Sequence, residues 1–197
     1  MSQFIGQQAP DFAATAVMPD NSVKDGFKLS DYRGKYVVMF FYPLDFTFVC
    51  PTEIIEFNRK LKEFAARDVQ VIGVSIDSQF SHLAWKNTPV DQGGIGQIQY
   101  PLVADLNKQI SRDYGVLLND SIALRGTFLI DKDGVIQHMV VNNLGLGRNI
   151  DEILRMVDAL QHLEKHGEVC PAGWTKGEEA MSPNAKGVAS YLAKHGH

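Results

Sequence analysis

The chain has 197 residues, 45% hydrophobic and 21% charged, with a net charge of −4. At roughly 150 residues per domain this is one domain and about a quarter of another. The acidic balance argues against nucleic-acid or anionic-membrane binding, which draw on a surplus of Lys and Arg. The two cysteines, Cys50 and Cys170, are too few for a disulfide scaffold or a four-thiolate zinc site. No apolar run approaches the roughly 18 residues of a membrane helix. Met1-Ser2-Gln3-Phe4 lacks a basic start followed by an apolar core, so no secretory signal is expected. The expected location is the cytoplasm, where thiols stay reduced and are free, catalytic or redox-cycling rather than permanent staples.

Residues 1–34 are rich in turn formers such as Pro10-Asp11, Pro19-Asp20-Asn21 and Arg33-Gly34. Tyr36 to Phe41 is a β-branched and aromatic run that reads as a buried strand ended by Pro43. From Pro51 to Arg67 the period becomes helical, with Ile54, Phe57, Leu61, Phe64 and Ala65 on one face and the pairs Glu56/Lys60 and Glu63/Arg67 on the other. Gln70 to Asp77 is a second buried strand; strand, helix and strand form a βαβ unit with parallel strands. Ser78 is the expected N-cap of a helix to Asn87, in which Trp85 and Phe80 read as core or interface packing. Residues 88–101 form a loop, and a short helix follows near Leu106–Tyr114. Arg125–Asp131 and Val135–Val141 are strands joined across Lys132-Asp133-Gly134, a hairpin signal. Asn149-Ile150-Asp151-Glu152 resembles a capping box and opens a helix to about His166, with Ile153, Met156, Val157, Leu160 and Leu163 on one face. The order predicts an α/β protein with a mixed central sheet, helices on both faces and a thioredoxin-like topology in residues 1–166. Residues 167–197 form a Gly- and Pro-rich tail too small to fold alone.

Cys50 falls between the first strand and the helix, in Pro43-Leu44-Asp45-Phe46-Thr47-Phe48-Val49-Cys50-Pro51. A sulfur in the first helical turn meets unpaired N–H groups and the positive end of the helix dipole, both of which favour a thiolate. Pro51 suits a position where a missing N–H costs nothing. Cys50 reads either as a small buried residue or as a nucleophile, and its place at the strand-to-helix junction favours the nucleophile. Thr47, one turn earlier, is either a plain helix cap or a hydroxyl that can donate and accept beside the sulfur. Cys170 sits in Glu168-Val169-Cys170-Pro171 at the start of the tail. It is an incidental loop cysteine or a second thiol able to close a disulfide on a sulfenic acid. Arg125, before an apolar strand, reads on its own as a strand-end surface residue.

Pro43-x-x-x-Thr47-x-x-Cys50, Arg125 opening Arg125-Gly126-Thr127-Phe128-Leu129-Ile130-Asp131, and Val169-Cys170-Pro171 together resemble the typical two-cysteine peroxiredoxins, close to the bacterial alkyl hydroperoxide reductase C subunits. The resemblance spans essentially the whole chain. It implies that Cys50 is the peroxidatic thiolate, that Thr47 and Arg125 bind and polarise the O–O group, that Pro43 shields the pocket, and that Cys170 is the resolving thiol supplied by the other subunit of a homodimer. It also implies that no metal, haem or flavin is needed. Electrons would come from thioredoxin or a flavoprotein disulfide reductase, and the dimers would assemble into a decamer. Glu53 lies where such proteins often place an acidic residue that orients the arginine. A holdase chaperone or ring-forming scaffold is the second function the resemblance suggests.

His162 and His166 lie at i,i+4, but Glu164 stands between them in the wrong place for a zincin helix. Gly145-Leu146-Gly147-Arg148-Asn149 lacks a full phosphate-cradling fingerprint and reads as a plain loop. Gly93-Gly94-Ile95-Gly96 resembles a motif of peroxiredoxins prone to over-oxidation, whose partner Tyr-Phe pair is here Tyr191-Leu192. The incomplete pair predicts slower accumulation of sulfinic Cys50 than in members carrying both motifs. Mass spectrometry after repeated peroxide turnover checks this, and accumulation at the two-motif rate would refute it.

Overall fold

The computed structural model describes residues 4–196; the signal-peptide expectation for Met1–Gln3 lies outside them. The strands are β1 (Ala13–Val17), β2 (Val23–Lys28), β3 (Tyr36–Phe41), β4 (Val69–Ser75), β5 (Leu102–Ala104), β6 (Leu117–Leu118), β7 (Ile122–Ala123), β8 (Arg125–Ile130) and β9 (Ile136–Asn142). The helices are α1 (Cys50–Arg59), α2 (Leu61–Ala65), α3 (Gln79–Asn87), α4 (Gln109–Asp113), α5 (Ile150–His166) and α6 (Ala185–His195). Two compact units result, Met1–Ile150 and Asp151–His197.

The first unit is built on a seven-stranded sheet of order β2-β1-β5-β4-β3-β8-β9. β3 and β5 run parallel to β4, and the remaining pairs are antiparallel. All of β3 is buried, as its Val and aromatic content requires. Successive side chains alternate between faces, so the Phe40-Phe41 pair supplies both. Phe40 stacks on Phe57 of α1 at 4.1 Å, while Phe41 meets Tyr114, the C-cap of α4, at 5.3 Å and Phe128 edge-on at 5.7 Å. Helices therefore cover both faces of a mixed sheet, as the sequence predicts.

The βαβ unit, the 125–142 hairpin and the Ser78 cap, whose Oγ accepts from the Ser81 N–H, match the sequence reading. The helix expected over 51–67 is two helices: the chain breaks at Lys60, whose ψ of 2° lies outside the helical range. The turn-rich N-terminal segment contains the hairpin β1–β2, and the 88–101 loop is followed by strand β5. Trp85 is buried, whereas Phe80 is exposed. No described helix is long and apolar enough to cross a membrane.

In the second unit the chain after α5 folds back along it. Val169 bridges Met181, His162 Nε2 meets Glu168 at 3.0 Å, and the His162 ring lies 4.9 Å from that of Trp174. The buried stripe of α5 is Ile153, Leu154, Val157 and Leu160. Leu163, expected on that face, is exposed because the stripe centres between Ile153 and Leu154 and leaves it beyond the edge.

Phe40 is fully buried and touches Phe57, Tyr42 and Tyr100. Phe40→Ala is expected to cost about 3–5 kcal/mol, the usual range for emptying an aromatic core site. A reduced denaturant midpoint at unchanged slope is the measurement that checks it.

Candidate active site

The site forms where β3 ends. β3 pairs antiparallel with β8, Phe40 opposite Thr127. Arg125, two residues before Thr127, therefore lies beside the departing β3–α1 loop. That loop carries Pro43 and Thr47 and delivers Cys50 into the first turn of α1. Pro43 is buried in it. Asp45 fixes its middle: the carboxylate accepts from Tyr42 Oη at 2.9 Å and pairs with His82 at 2.8 Å, while the Asp45 N–H donates to Asp77 at 2.9 Å.

Cys50 is fully buried, and two donors converge on its sulfur. Thr47 Oγ1 lies 2.9 Å from Sγ and equally 2.9 Å from the Leu44 carbonyl. The hydroxyl has one hydrogen and two acceptor lone pairs, so it either donates to the sulfur or donates to the carbonyl while accepting from a Cys50 thiol. Arg125 Nη1 lies 3.4 Å from Sγ. Arg125 is not the surface residue its position alone suggests: it is 3% exposed and its Nε donates to the Leu144 carbonyl at 2.7 Å.

Glu53, one turn after Cys50, holds this arginine through Oε2 at 2.8 Å. The same carboxylate takes Arg148 in a fork, Nε to Oε1 at 2.9 Å and Nη2 to Oε2 at 2.7 Å, and also accepts the Arg148 backbone N–H at 2.8 Å. Arg148 Nη1 reaches the Phe41 and Gly126 carbonyls at 2.9 Å each, and its guanidinium lies 5.1 Å from the centroid of the Phe40 ring. Burial pushes the Glu53 carboxyl up, but the hydrogen bonds and charge of Arg148, with Arg125 added, outweigh it and hold the group below its ordinary value. Two guanidiniums against one carboxylate leave an excess positive charge beside the sulfur, where fixed donors stabilise negative charge without reorganising.

Sequence reasoning brings Cys50, Thr47, Arg125 and Glu53 together and misses Arg148. The 145–149 loop is read as plain, yet its one cation turns inward. The available signal is an arginine in a Gly-rich segment just before a helix, which spacing cannot connect to a carboxylate 95 residues away. Cys170 lies in the second unit, partly exposed, with its Sγ 3.6 Å from the Ala159 carbonyl. Burial and the nearby Glu168 push its thiol up, against the opposing charge of Arg155. Among the described residues no group of three or more His, Cys, Asp or Glu side chains is placed to hold a metal ion.

A buried cysteine at the start of a helix in this sheet order, with a hydroxyl and a guanidinium on its sulfur, defines a thioredoxin-like thiol protein. Residues 5–139 match the AhpC/TSA family, and residues 159–194 match the C-terminal domain of 1-Cys peroxiredoxin. The chain is 59% identical to alkyl hydroperoxide reductase C of Helicobacter pylori over 188 residues, 95% of each chain. It is 56% identical to peroxiredoxin-2 of Mus musculus over 192 residues, 97% of this chain and 96% of that one. The reduced 2-Cys peroxiredoxin of Plasmodium vivax superposes with a TM-score of 0.96 at 52% identity, covering 98% of this chain and all of the other. The chain belongs to the AhpC/TSA family of peroxiredoxins. As a member it is a thiol-dependent peroxidase, an oxidoreductase.

Glu53→Gln leaves two buried guanidiniums short of their anion and is expected to cost about 3–5 kcal/mol. Because the Glu53 carboxyl is held low in the folded state, its contribution is present above the unfolded value of about 4.3 and is lost as pH falls through the lower folded value. Denaturation of wild type across the acid range should show this loss, and Glu53→Gln should flatten that part of the profile.

Proposed function

We propose that the protein reduces hydroperoxides through Cys50, with Cys170 as the resolving thiol. The observation that carries the reading is the convergence of Thr47 Oγ1 and Arg125 Nη1 on the Cys50 sulfur. The Cys50 thiolate attacks one oxygen of R–O–OH. An S–O bond forms, the O–O bond breaks, and the leaving oxygen departs as water or an alcohol after taking up a proton. Charge moves from sulfur onto that oxygen, so Arg125 and Thr47, already aimed at the reacting centre, lower the barrier. Pro43 keeps water from the pocket, and Glu53 with Arg148 keeps Arg125 in place.

The sulfenic acid on Cys50 is then attacked by the Cys170 thiolate of a second subunit. An S–S bond forms and hydroxide leaves as water. An external dithiol, thioredoxin or the thiol pair of a flavoprotein disulfide reductase, reduces the disulfide by exchange. Residues 1–166 carry the peroxidase fold and residues 167–197 the resolving arm. The working unit is a homodimer that assembles into a decamer in the cytoplasm, a placement supported by the two cysteines and the reducing chemistry they require.

On a non-reducing gel, peroxide-treated protein should run as a covalent dimer, and Cys50→Ser or Cys170→Ser should each abolish it. Cys50→Ser should also abolish hydroperoxide consumption. A Cys170→Ser variant that still forms the same amount of dimer would remove Cys170 from the cycle.

A further inference from the structure

We infer that Arg155 is a positioning residue for the resolving step, holding the turn that carries Cys170 against α5 and placing a cation beside the attacking sulfur. The inference rests on the assignment of Cys170 as the resolving thiol. Three features of the second unit carry it.

The guanidinium of Arg155 is fixed before it meets the turn. Nε and Nη2 form a fork with Glu152, one turn earlier on α5, at 2.6 and 2.7 Å. Its remaining nitrogen, Nη1, donates to the Trp174 carbonyl at 2.8 Å. Only the planar fork of an arginine meets a carboxylate with two nitrogens and a carbonyl with the third.

The turn it grips runs from Pro171 to Trp174 and directly follows Cys170. The Trp174 N–H donates to the Pro171 carbonyl at 3.1 Å, its Nε1 donates to the Glu178 carbonyl at 3.1 Å, and the residue is 2% exposed. The Arg155–Trp174 bond thus anchors a closed turn rather than a loose strand. One turn further along α5 the Ala159 carbonyl accepts the Cys170 thiol at 3.6 Å. Arg155 through Trp174 and the Ala159 carbonyl through the thiol thus hold the two ends of the 170–174 segment against α5.

Among the described residues, Arg155 and Glu168 are the charges that act on the sulfur. Arg155 favours its ionised form and Glu168 opposes it. Glu168 is itself tied to His162 at 3.0 Å. Glu152, which faces Arg155, is half-exposed and screened by water. Lys176 and Asp158 pair with each other at 3.5 Å. Arg155 is the cation that acts on a thiol which burial otherwise keeps protonated. In the step it serves, Cys170 gives up its proton, its sulfur bonds to the Cys50 sulfur, the S–OH bond of the sulfenic acid breaks, and hydroxide leaves with the proton as water. The thiolate is the attacking species, so both the hold on the turn and the charge enter the rate.

The test uses the full-length protein and one equivalent of hydrogen peroxide. Rapid quenching with an alkylating agent follows disulfide formation across a pH series, and thermal unfolding confirms that each variant is folded. Arg155→Met should leave the reaction of Cys50 with peroxide unchanged. It should slow disulfide formation at pH 7 by roughly threefold to tenfold, tenfold being the loss of thiolate when the midpoint rises by about one pH unit. The midpoint of the pH profile should move up, and sulfinic Cys50 should accumulate because the sulfenic acid lives longer. Arg155→Lys should restore the midpoint but not the full rate, since it keeps the charge and loses the fork. An unchanged rate and profile in Arg155→Met would overturn the proposal, as would a uniform slowing at every pH with the midpoint fixed. Cys170→Ser serves as the separate control: a disulfide that still forms there would sink the resolving assignment itself, independently of Arg155.

Discussion

The Glu53 carboxylate sits between two buried guanidiniums, and each of the three charges comes from a different part of the chain. Glu53 is on α1, Arg125 opens β8, and Arg148 follows β9. Removing such groups from water costs several kcal/mol per ion, which is recovered only where every donor and acceptor is matched. Arg148 meets that demand with the carboxylate, two backbone carbonyls and an aromatic face. Arg125 meets it with the carboxylate, the Leu144 carbonyl and the Cys50 sulfur. The network therefore does two things together. It staples the helix that carries the cysteine to the sheet, and it leaves a surplus cation 3.4 Å from the Cys50 sulfur.

This arrangement depends on the sheet order. Were β8 parallel to β3, its first residue would lie at the opposite end of the sheet from the β3–α1 loop. Antiparallel pairing puts the start of one strand beside the end of the other, so Arg125 reaches a cysteine 75 residues earlier. The alternation of Phe40 and Phe41 then fixes which face α1 covers, because Phe40 stacks on Phe57 of that helix and lies under the Arg148 guanidinium. Packing and electrostatics share one side chain here, so loss of Phe40 is felt in both.

What the sequence discloses follows the range of each interaction. Thr47 and Cys50 are one helical turn apart, and the strand-helix transition around them is written in local periodicity. β3, β4, β8 and β9 are legible because their apolar runs are long enough to show a period. β5 has three residues and follows Pro101, too short a run to register. The β1–β2 hairpin is hidden because β2 is almost wholly exposed and its pairing with β1 is interrupted by a bulge, so no apolar alternation marks it. Arg125 becomes legible only through family resemblance, since a lone arginine before a strand says nothing of a carboxylate far away. Arg148 stays hidden even then. Its partners are scattered over Glu53, Phe41 and Gly126, and no local pattern marks a cation that folding will bury.

The proposed cycle makes opposing demands on Cys50. Attack on peroxide calls for a sulfur held among fixed donors and shielded from water, and the sulfur is fully buried. Disulfide formation calls for an approach of the two Cβ atoms to about 3.5–4.5 Å, so the proposed cycle also asks for a change in the first turn of α1. Its N-cap is Val49, which supplies no side-chain hydrogen bond, whereas a Ser, Thr or Asp cap would add about 0.5–2 kcal/mol. Glu53, one turn further in, is clamped by both arginines. The proposed exchange therefore asks for movement at Cys50, which lacks a side-chain cap before it, and not at Glu53, which both guanidiniums hold.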